Sequence, residues 1–185
     1  ETSASITTIE IALSRGSSQS HPAQIRLNSM VEGGSTSITL NPVVGGNSTT
    51  IVTSLDNNTS VNYSQLILFD GYLNIDESSS NTLVKVAQCD IGGNALTTFK
   101  TTYNLNTVGL SGVSGTAVFE KRNNGNTLVS IALNGTLNSG THPVAIHIGS
   151  VTTVGGGPIT KTLNDVDGTT GNSYTNIRTL DDATP

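Results

Sequence analysis

The chain contains no tryptophan, one methionine and one cysteine among its 185 residues. A single thiol, Cys89, excludes an intrachain disulfide, so stability must come from packing and strand pairing. Charge is also scarce: Asp, Glu, Lys and Arg together make up 11% of residues, with a formal net charge of −5. The eight basic residues are scattered, which excludes the clustered Lys and Arg that phosphate-driven nucleic-acid binding needs. No run of about 18 apolar residues exists, so no membrane-spanning helix is expected. No signal-peptide pattern is visible at Glu1. Low charge likewise separates the chain from disordered tails, which carry high net charge.

What is abundant is Ser, Thr, Asn and Gly, with hydrophobic residues at 34%. That mixture fits β-structure with neutral polar outer faces, in a style common to secreted adhesive and fibrous proteins, so an extracellular or cell-surface location is expected. Asn-x-Ser/Thr triplets at Asn47, Asn57, Asn58, Asn62 and Asn134 are candidate glycosylation sites, although a chain this rich in Asn and Thr produces such triplets by chance.

The sequence repeats. Ile11–Leu13 reads IAL and is followed by Ser20-His21-Pro22; Ile131–Leu133 reads IAL and is followed by Thr141-His142-Pro143. Beyond the His-Pro pairs, Ser29 aligns with Ser150, Leu40-Asn41 with Leu163-Asn164, Asn47-Ser48 with Asn172-Ser173, and Leu55-Asp56 with Leu180-Asp181. The period is that of a whole domain and not of a solenoid turn. We therefore expect a first module at residues 1–99, a connection at 100–113 and a second module at 114–185. Ser114–Asn123 has no counterpart ahead of the first copy, and Tyr63–Asn94 has none after the second. Each copy is thus expected to lack strands that the other has, as in a slice of a longer array or in protomers that complete one another by strand donation.

Alternation of apolar and polar residues predicts strands over Ser5–Leu13, Ser37–Leu40, Thr49–Leu55, Leu83–Gln88, Thr98–Leu105, Thr116–Lys121, Thr127–Leu133 and Val144–Ile148. Turns are predicted at Gly33-Gly34, Gly45-Gly46-Asn47, Asn123–Gly125 and Gly155–Gly157. Short strands at this spacing indicate an all-β sandwich or barrel. One short helix is predicted over Ser60–Phe69, with Ser60 as its N-cap.

Four stretches, SGTAVFEKRNNGNTLVSIALNG from Ser114, HPAQIRLNSMVEGG from His21, LILFDGYLNI from Leu66 and VAQCDIGGN from Val86, together resemble the CHRD (chordin-type) domain of bacterial secreted proteins. The resemblance implies immunoglobulin-like β-sandwich modules without enzymatic activity. It also implies a His-rich signature similar to the copper ligands of Cu/Zn superoxide dismutase, and the sequence departs from that signature. His21 is present, but Gln24, Arg26 and Asp76 stand at the other imidazole positions of the first copy. His142 and His147 remain in the second, with Ala145 between them. A guanidinium binds no metal.

Other candidate chemistry is sparse. His142 and His147 supply two copper or zinc ligands where structural zinc takes four and catalytic zinc three; His142 as a turn residue before Pro143 and His147 on a strand face have an ordinary role as well. Asp165, Asp167 and Asn172 faintly resemble a calcium loop without its terminal Glu, and equally a polar turn. Asp70 and Asp90, each close to glycine, read as turn formers. Cys89 is expected to be a small packed residue. Lys85 and Lys121 are conceivable partners for Lys–Asn isopeptide links, with surface lysines as the plainer reading. No nucleophile elbow or oriented base is apparent. The expected role is therefore that of a self-assembling structural subunit with no cofactor. Its assembly strands would be centred on Ile6, Ile9, Ile11 and Leu13 and on Val118 and Phe119. The alternative is a secreted module that binds a metal or a glycan.

Overall fold

The computed structural model describes residues 6–108, 111–137, 139–153 and 156–178. Contacts divide the chain into two compact units: Glu1–Leu96 with Arg122–Asn124, and Thr97–Lys121 with Gly125–Pro185. Both are built almost wholly of antiparallel strands.

The first unit begins with β1 (Thr7–Ala12), whose Thr7, Ile9 and Ile11 alternate with exposed Thr8, Glu10 and Ala12. β1 pairs with β4 (Asn47–Val52) in a two-stranded sheet. β2 (His21–Leu27), β3 (Thr36–Val43), β5 (Asp70–Ser78) and β6 (Asn81–Gly92) form a four-stranded sheet in the order β3-β2-β5-β6. The two sheets share one core, in which Ile11 and Val52 meet Ala23, Ile25, Leu40, Val43 and Ile75. Two left-handed glycines, Gly45 (φ 61°) and Gly46 (φ 86°), close the β3–β4 hairpin. A two-residue turn with positive φ at both central positions matches the twist of its strands, and glycine adopts it without steric cost.

The second unit contains β7 (Leu96–Leu105) and β8 (Ser114–Arg122), apart from their end residues Leu96 and Arg122, with β9 (Thr127–Asn134) and β12 (Asn172–Ile177) in a sheet ordered β12-β9-β8-β7. β10 (Thr141–His147) and β11 (Ile159–Asp167) form a second, two-stranded sheet. Ala117, Val129, Ile131, Leu163, Val166 and Ile177 make the core. Residue 99, the expected limit of the first module, lies within β7.

The helix is shorter than predicted. α1 spans only Tyr63–Leu66, and its N-cap is Asn62 rather than Ser60. Asn62 Oδ1 accepts from Gln65 N at 3.0 Å, and Gln65 Oε1 accepts from Asn62 N at 3.0 Å. This reciprocal box fixes the start of the helix. After one turn, which buries Leu66, the chain enters β5.

The two units share their strand pairing. In the β1–β4 ladder Ile9 faces Thr50 and Ile11 faces Ser48; in the β9–β12 ladder Val129 faces Thr175 and Ile131 faces Ser173. In β2–β3, His21 faces Val43, Ala23 faces Leu40 and Ile25 faces Ile38. In β10–β11, His142 faces Val166, Val144 faces Leu163 and Ile146 faces Lys161. The register shifts fall at the same two places in both pairs. Hydrogen bonds repeat as well. Asn41 N donates to Thr50 Oγ1 (2.9 Å), Asn41 Nδ2 to Thr49 O (2.7 Å), and Ser48 Oγ to Asn41 O (2.7 Å). Asn164 N donates to Thr175 Oγ1 (2.9 Å), Asn164 Nδ2 to Tyr174 O (2.6 Å), and Ser173 Oγ to Asn164 O (2.7 Å). The alignment at Leu180-Asp181 lies outside the described residues.

Candidate functional site

The histidines come first. β10 alternates regularly, because the extra residues at both register shifts lie on β11. His142 therefore shares a side with Val144 and Ile146, which pack on the core, and His147 points to the opposite side. The strand does not bring the two imidazoles together. His147 Nδ1 donates to Gly157 O at 2.9 Å, as Arg26 Nε donates to Gly34 O at 2.8 Å in the other unit. The two side chains occupy equivalent positions and each ties down its own hairpin. His142 Nε2 is buried without a hydrogen-bond partner among the described residues. His21 donates from Nδ1 to Glu77 O (2.8 Å), since a carbonyl only accepts, and its Nε2 is hydrogen-bonded with Ser17 Oγ (2.7 Å). Among the described residues no three His, Cys, Asp or Glu side chains gather as a metal would require.

The positions where the CHRD resemblance implies imidazoles hold a closed polar network instead. Asp76 is 1% exposed. Its Oδ1 accepts from Asn74 Nδ2 (2.8 Å) and Lys85 Nζ (2.6 Å), and its Oδ2 accepts from Gln24 Nε2 (3.0 Å). Gln88 Nε2 donates to Asn74 Oδ1 (2.7 Å), and Arg26 reaches Gln24 Oε1. Burial works against the charge on Asp76, but the bonds from Lys85, Asn74 and Gln24, with the Lys85 charge, hold its pKa below the ordinary carboxylate value. An ammonium thus neutralises this carboxylate.

The remaining candidates serve turns and packing. Asp167 Oδ1 accepts from Thr169 N (2.9 Å) and Thr170 N (2.8 Å), and the bonds from Thr170 lower its pKa. It caps the β11–β12 turn; Asp165 is exposed on β11, and Asn172 opens β12. Asp70 accepts from Asn124 Nδ2 at 2.9 Å. Asp90 accepts from Met30 N (2.7 Å) and pairs with the fully buried Arg122 at 2.6 Å. That buried ion pair in the first unit had no signal in the sequence beyond the bare residue types. Cys89, expected to be packed, is exposed on edge strand β6. Partial enclosure and the Asp90 charge raise its thiol pKa, so it is a weak nucleophile near neutral pH. Lys121 Nζ lies 5.9 Å from the centre of the Phe99 ring. The candidate glycosylation residues Asn47, Asn57, Asn58, Asn62 and Asn134 are all exposed.

The open edges are the most distinctive feature. Among the described residues β1 has no partner on its second edge, whereas its equivalent β9 carries β8 there. Among the described residues β10 likewise has no partner on its second edge, whereas its equivalent β2 carries β5. Burial follows: Val129 is 1% exposed beside β8, while Ile9 is only half-buried; Ile25 is 3% exposed beside β5, while Ile146 is only half-buried. Of the expected assembly residues, Ile6 lies just ahead of β1 and is 66% exposed, Ile11 is in the core, and Leu13 packs against it. Phe119 packs on the second core and meets Tyr103 edge-to-face at 5.6 Å, while Val118 is half-buried on the other side of β8.

No family model, curated protein or solved structure matches the chain. Among the described residues no helix is long and apolar enough to cross a membrane.

Proposed function

We propose that this chain is a structural, non-catalytic part of an extracellular fibre, pilus-like filament or surface array, built from tandem CHRD-like, immunoglobulin-like sandwich modules. The observation that carries this reading is the reciprocity of the two open edges. Among the described residues each unit repeats the other's four strands, and each leaves unfilled the edge that the other fills. An open strand edge is a template for a further strand, and addition there supplies both backbone hydrogen bonds and side-chain pockets. The strands that close these edges come from neighbouring repeats, whether on the same polypeptide or on another copy. Two supports are weaker: the low charge of the polar faces and the exposure of the Asn-x-Ser/Thr sites fit an extracellular setting. A non-catalytic role fits Asp76 and Asp90, whose oxygens are already engaged by neighbouring donors.

Sedimentation velocity, negative-stain electron microscopy and hydrogen exchange across a concentration series test the proposal together. Elongated oligomers should grow with concentration while the amides of β1 and β10 gain protection. A chain that stays monomeric, with both edges exchanging freely at every concentration, would overturn it.

A further inference from the structure

The open edge of β1 borders an apolar groove of about 320 Å³, lined by Thr7, Ile9, Leu66, Ile67, Leu73 and Ile91 among others. The second unit indicates what belongs there. On β9, Phe119 of β8 faces Val129 and Ala117 faces Ile131. Val129 and Ile131 are the equivalents of Ile9 and Ile11. A strand laid on β1 in the same antiparallel register therefore puts an aromatic side chain beside Ile9, at the groove, and a small one beside Ile11. The residue between them is set by charge. On β9 that residue, Val118, faces Ser130. On β1 the equivalent of Ser130 is Glu10, an exposed carboxylate, and opposite charges directly across a strand pair attract.

We propose that β1 and its groove form an acceptor for one extended segment reading small residue, basic residue, aromatic residue, antiparallel to β1; the small and aromatic positions are those of Ala117 and Phe119 on β8, and the basic one is set by Glu10. This rests on the strand-completion reading above and names its partner. Because strand side chains alternate, a segment slipped by one residue turns its aromatic ring away from the groove.

The test uses the full chain and fluorescently labelled peptides. One peptide has the sequence of Gly115–Lys121, GTAVFEK. A second, GTAKFEK, carries Lys between Ala and Phe, and a third moves Phe by one position. Anisotropy titrations should show saturable binding of the first two, tighter for GTAKFEK by about two- to fivefold at low salt, and none of the third. Glu10→Lys, a change at an exposed position, should reverse the preference between the first two. Binding that ignores the position of Phe, or a preference unchanged by Glu10→Lys, overturns the proposal, as does the absence of any binding. Sedimentation of the same samples without peptide separates the two failures. Concentration-dependent assembly without peptide binding refutes this acceptor and leaves strand completion standing; loss of both refutes both.

Discussion

The two units are the same four strands finished in two different ways. β1–β4 and β9–β12 have matching registers, as do β2–β3 and β10–β11, and both units carry the same three hydrogen bonds around Asn41 and Asn164. What differs is the neighbour. The first unit adds β5 and β6 beside β2, and the second adds β8 and β7 beside β9. The shared half of the sequence therefore specifies its own pairing under both sets of neighbours. The neighbouring strand decides only how deeply one row of side chains is buried.

The sharpest way to break that comparison is to truncate equivalent core residues in pairs. Ile25→Ala should destabilise the first unit by about 2–5 kcal/mol, the usual range for a buried Ile. Ile146→Ala should cost the second unit less than half of that, because the β10 edge leaves Ile146 partly in water. At the other ladder the order inverts: Val129→Ala should cost more than Ile9→Ala, although Val is the smaller side chain. Urea unfolding followed by hydrogen exchange with mass spectrometry reads each unit separately. Equal losses within each pair would mean that the missing neighbour is not what sets these burials.

A medium-sized effect tests the sameness rather than the difference. Asn41 and Asn164 each donate from Nδ2 to a carbonyl of the next strand in sequence, β4 or β12, which belongs to the other sheet of its unit, at 2.7 and 2.6 Å. Replacing either by Ala removes one such bond, so each unit should lose about 0.5–1.5 kcal/mol, the net worth of a typical hydrogen bond. The two losses should agree within error in the same unfolding experiment. A loss in only one unit would show that the shared geometry hides unequal energetics.

Much of this equivalence was legible in the sequence because it lies in regular alternation and in small motifs. The IAL and His-Pro repeats placed β1 against β9 and β2 against β10, and the Leu-Asn and Asn-Ser pairs marked the bonded corner. Other elements were hidden for physical reasons. β12 buries Ser173 and Thr175 beside Ile177, so its inward face reads as polar; those hydroxyls are satisfied by Asn164, which no local pattern reveals. β2 begins with His21-Pro22 and β5 with Asp70-Gly71, residues that signal turns even though both segments pair as strands. The single turn of α1 was overextended because Ile67, Leu68 and Phe69 prolong an apolar run after the capping box has already fixed the start. The Asp76 network was the least visible of all. Its members are spread from Gln24 to Gln88, and only the β2-β5-β6 sheet order gathers them.

That network also yields the smallest expected effect, and one that distinguishes the units. Asp76 has a folded-state pKa below its ordinary value of 3.8, so folding favours its ionised form. The stability it contributes is fully present above the unfolded pKa and is lost as pH falls through the lower, folded value. Between neutral pH and about pH 4 the group should change nothing; below that the first unit should weaken progressively. In Asp76→Asn the neutral amide does not titrate, so this part of the acid dependence should flatten, at the cost of leaving Lys85 without its carboxylate partner. Asp167 in the second unit is also held below its ordinary value, but it lies at an exposed turn where water screens the charge. Unit-resolved exchange between pH 5 and pH 2 should therefore show the first unit's protection falling more steeply than the second's. An equal slope in both units, or a slope in the first that survives Asp76→Asn unchanged, would show that the buried carboxylate and its ammonium are not what separates the acid behaviour of the two.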